Sequence, residues 1–192
     1  MNKISIFVLI FFAFITNINA EDIKRIFVGN QNAKITIIAF ESLTCSHCAN
    51  FHKDVYPQLK EEYIDTGLAK IEFRHFPLDM AAFNASKISQ CKNDGGSNIL
   101  DILFLNQKKW VKGSTAEEAN DYLKNFLIAE GINVDFNKCI NNKKLEDFVL
   151  NDRINGVKKF KVNSTPTIII NNEKFEKSLN YKNLKKALEK LI

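Results

Sequence analysis

Two kinds of apolar pattern alternate along this chain. Lys34 to Glu41 contains Ile35-Thr36-Ile37-Ile38-Ala39-Phe40, a near-continuous β-branched and aromatic run. Such a run suits a strand covered on both faces. Ile26-Phe27-Val28, just before the turn-forming Gly29-Asn30-Gln31-Asn32, predicts a short edge strand. After the long run the period changes. Cys48, Phe51, Val55, Leu59 and Tyr63 recur at three- and four-residue steps and draw one apolar helical face. Thr44 is the expected N-cap, Pro57 should kink the helix, and Gly67 closes it. Lys70 to Phe76 then alternates as a second core strand, which completes a βαβ unit with a right-handed crossover.

From about 78 to 161 the pattern is helical throughout, with candidate helices at 79–92, 97–110, 115–130, 133–141 and 144–160. Thr167-Ile168-Ile169-Ile170 restores the strand pattern. Asn171-Asn172 reads as a hairpin turn and Glu173 to Lys177 as the return strand. Tyr181 to Ile192 is an amphipathic closing helix. The predicted fold class is α/β, ordered βαβ, all-helical insertion, ββα.

The first twenty residues stand apart. Lys3, the apolar stretch Ile4 to Ile15 and a polar segment ending at Ala20 have the layout of a cleavable signal peptide over residues 1–20, leaving one domain over 21–192. The stretch is shorter than the roughly 20 apolar residues of a spanning helix, which disfavours an uncleaved anchor. The net charge of +5 comes from scattered lysines without a concentrated basic stripe, so no nucleic-acid partner is expected. Export matters for the four cysteines, because an oxidising compartment favours bridges or working redox pairs.

Cys45-Ser46-His47-Cys48 falls at the junction of strand and helix. There the unpaired N–H groups and positive dipole end of the helix favour a thiolate on Cys45. Cys48, one turn on, can form and resolve a small disulfide ring, and His47 can favour the Cys45 thiolate further. A stable thiolate is a good leaving group, so the disulfide is an oxidant. A zinc site using Cys45, Cys48 and His52 lacks a fourth ligand, and a purely structural bridge would gain little from so short a loop. No metal and no dissolved cofactor are expected. Cys91 and Cys139 lie on different predicted helices and are expected to form a structural disulfide; the alternative is two buried, unpaired thiols. His52 and His75 read as packing or surface residues.

Ile35 to His52 (ITIIAFESLTCSHCANFH), Phe76-Pro77-Leu78-Asp79 and Ser164-Thr165-Pro166-Thr167 resemble the bacterial DsbA-like family of thioredoxin-fold oxidoreductases. The resemblance covers nearly the whole chain after residue 20. It implies a thioredoxin fold, with Cys45 as the exposed nucleophile, Cys48 as the buried resolving cysteine and His47 as the residue that makes the site oxidising. It also implies a cis Pro166 against the disulfide, with Thr165 beside it touching the substrate chain. Two positions depart from the family. Ser46 stands where proline is common, and Ala39 where relatives often carry a buried acid. Glu41, two residues later, is either a replacement proton shuttle for Cys48 or a solvated strand-end charge. The implied activity is donation of disulfides, in the periplasm, to reduced, unfolded or partly folded exported proteins. Re-oxidation is implied to come from a DsbB-like quinone-linked membrane protein. Competing readings are a reductase or isomerase of the same fold, or a substrate-binding, chaperone-like module whose cysteines are incidental.

Overall fold

A computed structural model describes residues 22–192, so the expected signal segment lies outside the described residues. The sheet has five strands in the order β1-β3-β2-β4-β5, with β1 at Ile26–Gly29, β2 at Ile35–Glu41, β3 at Ala69–His75, β4 at Thr167–Ile170 and β5 at Glu173–Lys174. β2 and β3 run parallel, and the other pairs are antiparallel. The parallel pair is joined by the helical run that begins at the cysteine motif, as the βαβ pattern predicts.

β2 is buried on both faces, which explains its unbroken apolar sequence. Ile35, Ile37 and Ala39 meet Ile71, Phe73, Ile168 and Ile170 in the larger core. Ile38 and Phe40 point the other way, onto Phe76, Phe160, Val162 and Ile169. Six helices separate β3 from β4: α3 (Met80–Gln90), α4 (Asn98–Leu105), α5 (Gln107–Trp110), α6 (Ala116–Ala129), α7 (Phe136–Ile140) and α8 (Lys143–Phe160). The single helix expected over 97–110 is two, because the chain turns at Asn106. Short polar side chains start the others. Asp79, Thr115, Asp135 and Asn142 each accept a backbone N–H of the first turn, satisfying donors the helix itself cannot.

α8 covers the smaller core. Gly156 allows the close approach, since a Cβ there would lie 2.8 Å from the Phe40 ring. Buried Asp152, on the same helix, accepts two hydrogen bonds from Arg25 and one from the His75 amide, so its charge is paired and bonded. Cys91 and Cys139 are disulfide-bonded and tie the end of α3 to α7. At the hairpin, Asn171 and Asn172 both take positive φ, the conformation a two-residue turn of this hand requires. The return strand is shorter than expected. Phe175 still bonds the Ile168 carbonyl at 2.9 Å, and the exposed Glu176 and Lys177 then leave the sheet toward α9 (Tyr181–Leu188).

The helix after the cysteine motif departs from a simple proline kink. It runs as α1 (Ser46–Asn50), a π-helical turn (Phe51–Val55), α2 (Tyr56–Leu59) and a second π turn (Lys60–Ile64). The Tyr56 amide reaches back five residues to the Phe51 carbonyl. That widened turn accommodates the missing Pro57 amide and keeps the apolar face aligned.

Candidate active site

The site lies where β2 ends and α1 begins. The Cys45 amide donates to the Ser42 carbonyl at 3.0 Å, and the Cys45 carbonyl accepts from the Cys48 and Ala49 amides at 3.1 and 3.2 Å. Cys45 is therefore the N-cap residue itself, with extended backbone (φ −76°, ψ 119°). Thr44, expected in that role, instead donates its hydroxyl to Asp79 Oδ2 at 2.7 Å. Asp79 can serve both partners because its other oxygen caps α3. The correction matters chemically, because the cap position puts the Cys45 sulfur, and not a hydroxyl, at the positive end of the helix.

The two sulfurs sit in opposite environments. Cys45 is half-buried and Cys48 fully buried, and both are free thiols. The Cys45 thiol is pushed down to about 5. A hydrogen bond from the Cys48 thiol is the largest cause. Burial opposes it, and the Cys48 and His47 amides add to it. Burial pushes the Cys48 thiol far up, and the charges of Cys45 and Glu41 raise it further. His47 thus helps the thiolate through its backbone N–H, while its side chain is exposed. Ser46 is exposed beside it.

Thr165 and Pro166 come to the same place from the other side of the insertion. Cys45 Sγ donates to the Thr165 carbonyl at 3.3 Å, and the Thr165–Pro166 bond is cis. A groove of about 570 Å³ runs from this point between His47, Phe51 and Val55 on one wall and Leu179 and Asn180 on the other.

Glu41 is not a solvated strand-end charge: it is 4% exposed. One oxygen bonds His52 Nε2 at 2.9 Å, while Oε1 is buried without a partner. His52 is buried too. Its Nδ1 lies 3.3 Å from Asp101 on α4 and its ring stacks on Phe104 with centroids 4.1 Å apart. Both ring nitrogens face carboxylates, so His52 does not join the two cysteines as a ligand set. Burial pushes the Glu41 carboxyl up, and His52 pulls it back only in part. Burial alone would depress the His52 imidazolium, but the charge of Glu41 and its contacts with Asp101 and Glu41 outweigh it and raise it.

Neither Asp101 nor Gln107 is singled out by any motif. The Gln107 amide donates to the carbonyls of Leu43 at 2.7 Å and Cys45 at 3.0 Å, pinning the active-site turn to the insertion. His75, also buried, lies away from the cysteines, with its ring against Gln90 and Phe148. Trp110 is core, its indole N–H bonded to the Leu103 carbonyl.

With the sulfur pair and the cis Thr165–Pro166 step in one place, comparison with known proteins is decisive. Residues 21–190 match the thioredoxin family Thioredoxin_4. The solved structure of Wolbachia pipientis alpha-DsbA1 superposes with a TM-score of 0.76 at 31% identity, covering 87% of this chain and 90% of that one. This chain is a DsbA-like member of the thioredoxin superfamily. A Rickettsia bellii protein named as a protein-disulfide oxidoreductase is 28% identical over 168 residues, 86% of this chain. A Bacillus anthracis protein named as a disulfide bond formation protein D is 27% identical over 171 residues, covering 85% of this chain and 76% of that protein. The chain spans 63% of the length of the Rickettsia bellii relative and 52% of a Rickettsia conorii one. Glu41 and Ala39 are both buried.

Proposed function

We propose that this protein is an exported thiol–disulfide oxidoreductase that donates disulfides to folding proteins. The observation that carries the reading is the opposed environment of the two sulfurs beside Thr165–Pro166. A substrate thiolate attacks the Cys45 sulfur of the Cys45–Cys48 disulfide, forming a mixed disulfide while Cys48 leaves. A second substrate thiolate then attacks the substrate sulfur and releases Cys45 as a thiolate. The low Cys45 pKa makes it the better leaving group in that second step and favours the reduced enzyme, which is what an oxidant needs. Cys45 is partly exposed to attack, and Cys48 presents no surface.

Thr165 and Pro166, at the head of the groove, would hold an extended substrate strand alongside the mixed disulfide. The relatives' names speak for protein substrates and for this activity. The N-terminal sequence speaks for export to the periplasm. Re-oxidation would come from a DsbB-like quinone-linked membrane partner using the same groove. Equilibration of the protein lacking residues 1–20 against glutathione buffers tests the direction. We expect a potential above about −180 mV, whereas a value near the roughly −270 mV of thioredoxin would make the protein a reductase.

A further inference from the structure

The long helix of the insertion carries more apolar surface than the fold uses. α8 buries Leu145, Val149, Asp152, Gly156 and Phe160 along one face. Leu150, Ile154 and Val157 follow one another at steps of four and three on a different face, and they stay 39%, 45% and 47% exposed. Residues so spaced form one stripe along a helix. Among the described residues no other helix exposes more than two large apolar side chains. A single exposed aliphatic residue is ordinary, but three in line on one helix mark a contact surface.

The two ends of the stripe carry opposite charges. Glu146 and Asp147 stand before it, and Lys158, Lys159 and Lys161 stand beside and after its end. Asp147 is 56% exposed, with Lys143 at 3.2 Å one turn earlier. Lys158 and Lys161 are exposed, and among the described residues neither has a carboxylate partner. The dipole of α8 alone favours acids at its start and lysines at its end. It gives no reason for aliphatic side chains in line between them.

We infer that this stripe is a self-recognition face, on which a second copy of this chain packs its own α8 antiparallel. Reversing the helix is what brings unlike ends together, so the face is complementary to itself, as a two-fold interface must be. Ile154 is the middle of the stripe and lies on the axis. Asp147, seven residues before it, then stands opposite Lys161 of the second copy, seven residues after it. Leu150, four residues before the axis, meets Val157 and the aliphatic stem of Lys158 of the second copy. Lys143 lies a turn further out, past the end of the second α8, where a cation faces the negative end of its dipole. Every such contact occurs twice. α8 has 18 residues and is therefore about 27 Å long. One such face on each copy is at the low end of interface sizes, below about 1,200 Å² in total, so the dimer is weak and reversible. No residue of the stripe lines the groove at Cys45, so dimerisation leaves disulfide exchange to each copy alone.

Analytical ultracentrifugation of the protein from about 10 μM to 1 mM tests the inference, because a reversible dimer follows mass action. The mean mass should climb toward twice that of the monomer, and added salt should weaken the association. Ile154→Glu should abolish it. Asp147→Lys and Lys161→Asp should each weaken it about ten-fold, since the two-fold doubles every lost pair, and their combination in one chain should restore it. All of these positions are exposed, and unchanged disulfide exchange and circular dichroism show that the variants fold. In a Cys45→Ala, Cys48→Ala background, Ile154→Cys should cross-link to itself on mild oxidation, while Asn155→Cys, off the stripe, should not. A monomer at every concentration would overturn the inference, and a combined charge variant as weak as the single ones would overturn the antiparallel pairing. A monomer that instead binds vesicles of phosphatidylglycerol and phosphatidylcholine, and loses that binding in Ile154→Glu, would overturn it in favour of a membrane surface.

Discussion

Lowering the pH should erase the stability advantage of the reduced protein over its oxidised form. The perturbation is the Cys45 thiolate, which exists in the reduced protein alone. A thiol brought from its ordinary range to about 5 gains at most about 5 kcal/mol, at about 1.4 kcal/mol per pH unit. Cys45 is partly open to water, which screens the interaction, so about half of that ceiling, roughly 2–3 kcal/mol, is the expected contribution. The folded pKa lies below the unfolded one, so the unfolded chain binds more protons between them and stability rises with pH. The advantage is complete above the ordinary thiol range and is lost as pH falls through about 5.

Thermal unfolding of both redox forms, followed by circular dichroism from pH 5 to 8, isolates this effect. Carboxylates far from the pair titrate in both forms and cancel in the difference. At roughly 2–4 °C per kcal/mol for a domain of this size, the reduced form should gain about 5–10 °C on the oxidised form across that range. A difference that does not move with pH would refute the stabilised thiolate, and with it the basis for an oxidising pair.

Other consequences can be checked separately. Replacing both Cys91 and Cys139 by Ala opens a loop of sequence separation 48 and should cost about 4 kcal/mol, read as a lower urea midpoint with the active-site cysteines intact. A loss under about 1 kcal/mol would mean that the bridge constrains little of the unfolded chain. Gln107→Ala removes two hydrogen bonds to the active-site turn and should cost about 1–2 kcal/mol, with faster amide exchange at Cys45 and Cys48. Gly156→Ala drives a methyl against the fully buried Phe40 ring, so a loss of about 1–3 kcal/mol in urea should outweigh the better helix propensity of alanine.

The fold was legible because its signals are contiguous. A strand covered on both faces reads as an unbroken apolar run, and β2 is that strand. The helix start was misplaced by one residue because Thr44 has the chemistry of a cap. What diverts its hydroxyl is Asp79, distant in sequence and brought close only by the crossover from β3 into α3. Pro57 was recognised as a disturbance, but the π turns that absorb it depend on backbone pairing that no residue type announces. Where the chain turns at Asn106, an even helical period hid the break between α4 and α5.

The same distinction explains the site. Cys45, His47 and Cys48 occupy one turn and carry their meaning in their spacing. Thr165-Pro166 is legible as the start of a strand, and the resemblance supplied its place. His52 was half legible. It stands four residues after Cys48 on the apolar face, so the period alone implies burial, and a buried imidazole needs partners. Those partners come from β2 and α4, and Asp101 looks like an ordinary acid in a helix's first turn, where the dipole favours one. Only the packing of the insertion against the βαβ unit shows that it faces His52. In this chain the buried acid at the end of β2 is Glu41. At that position its carboxylate meets a histidine from the helix and, through it, an acid from the insertion. The insertion therefore contributes more than a cover for the core: through Asp101 it sets a carboxylate against a buried histidine of the helical run that begins at the cysteine motif.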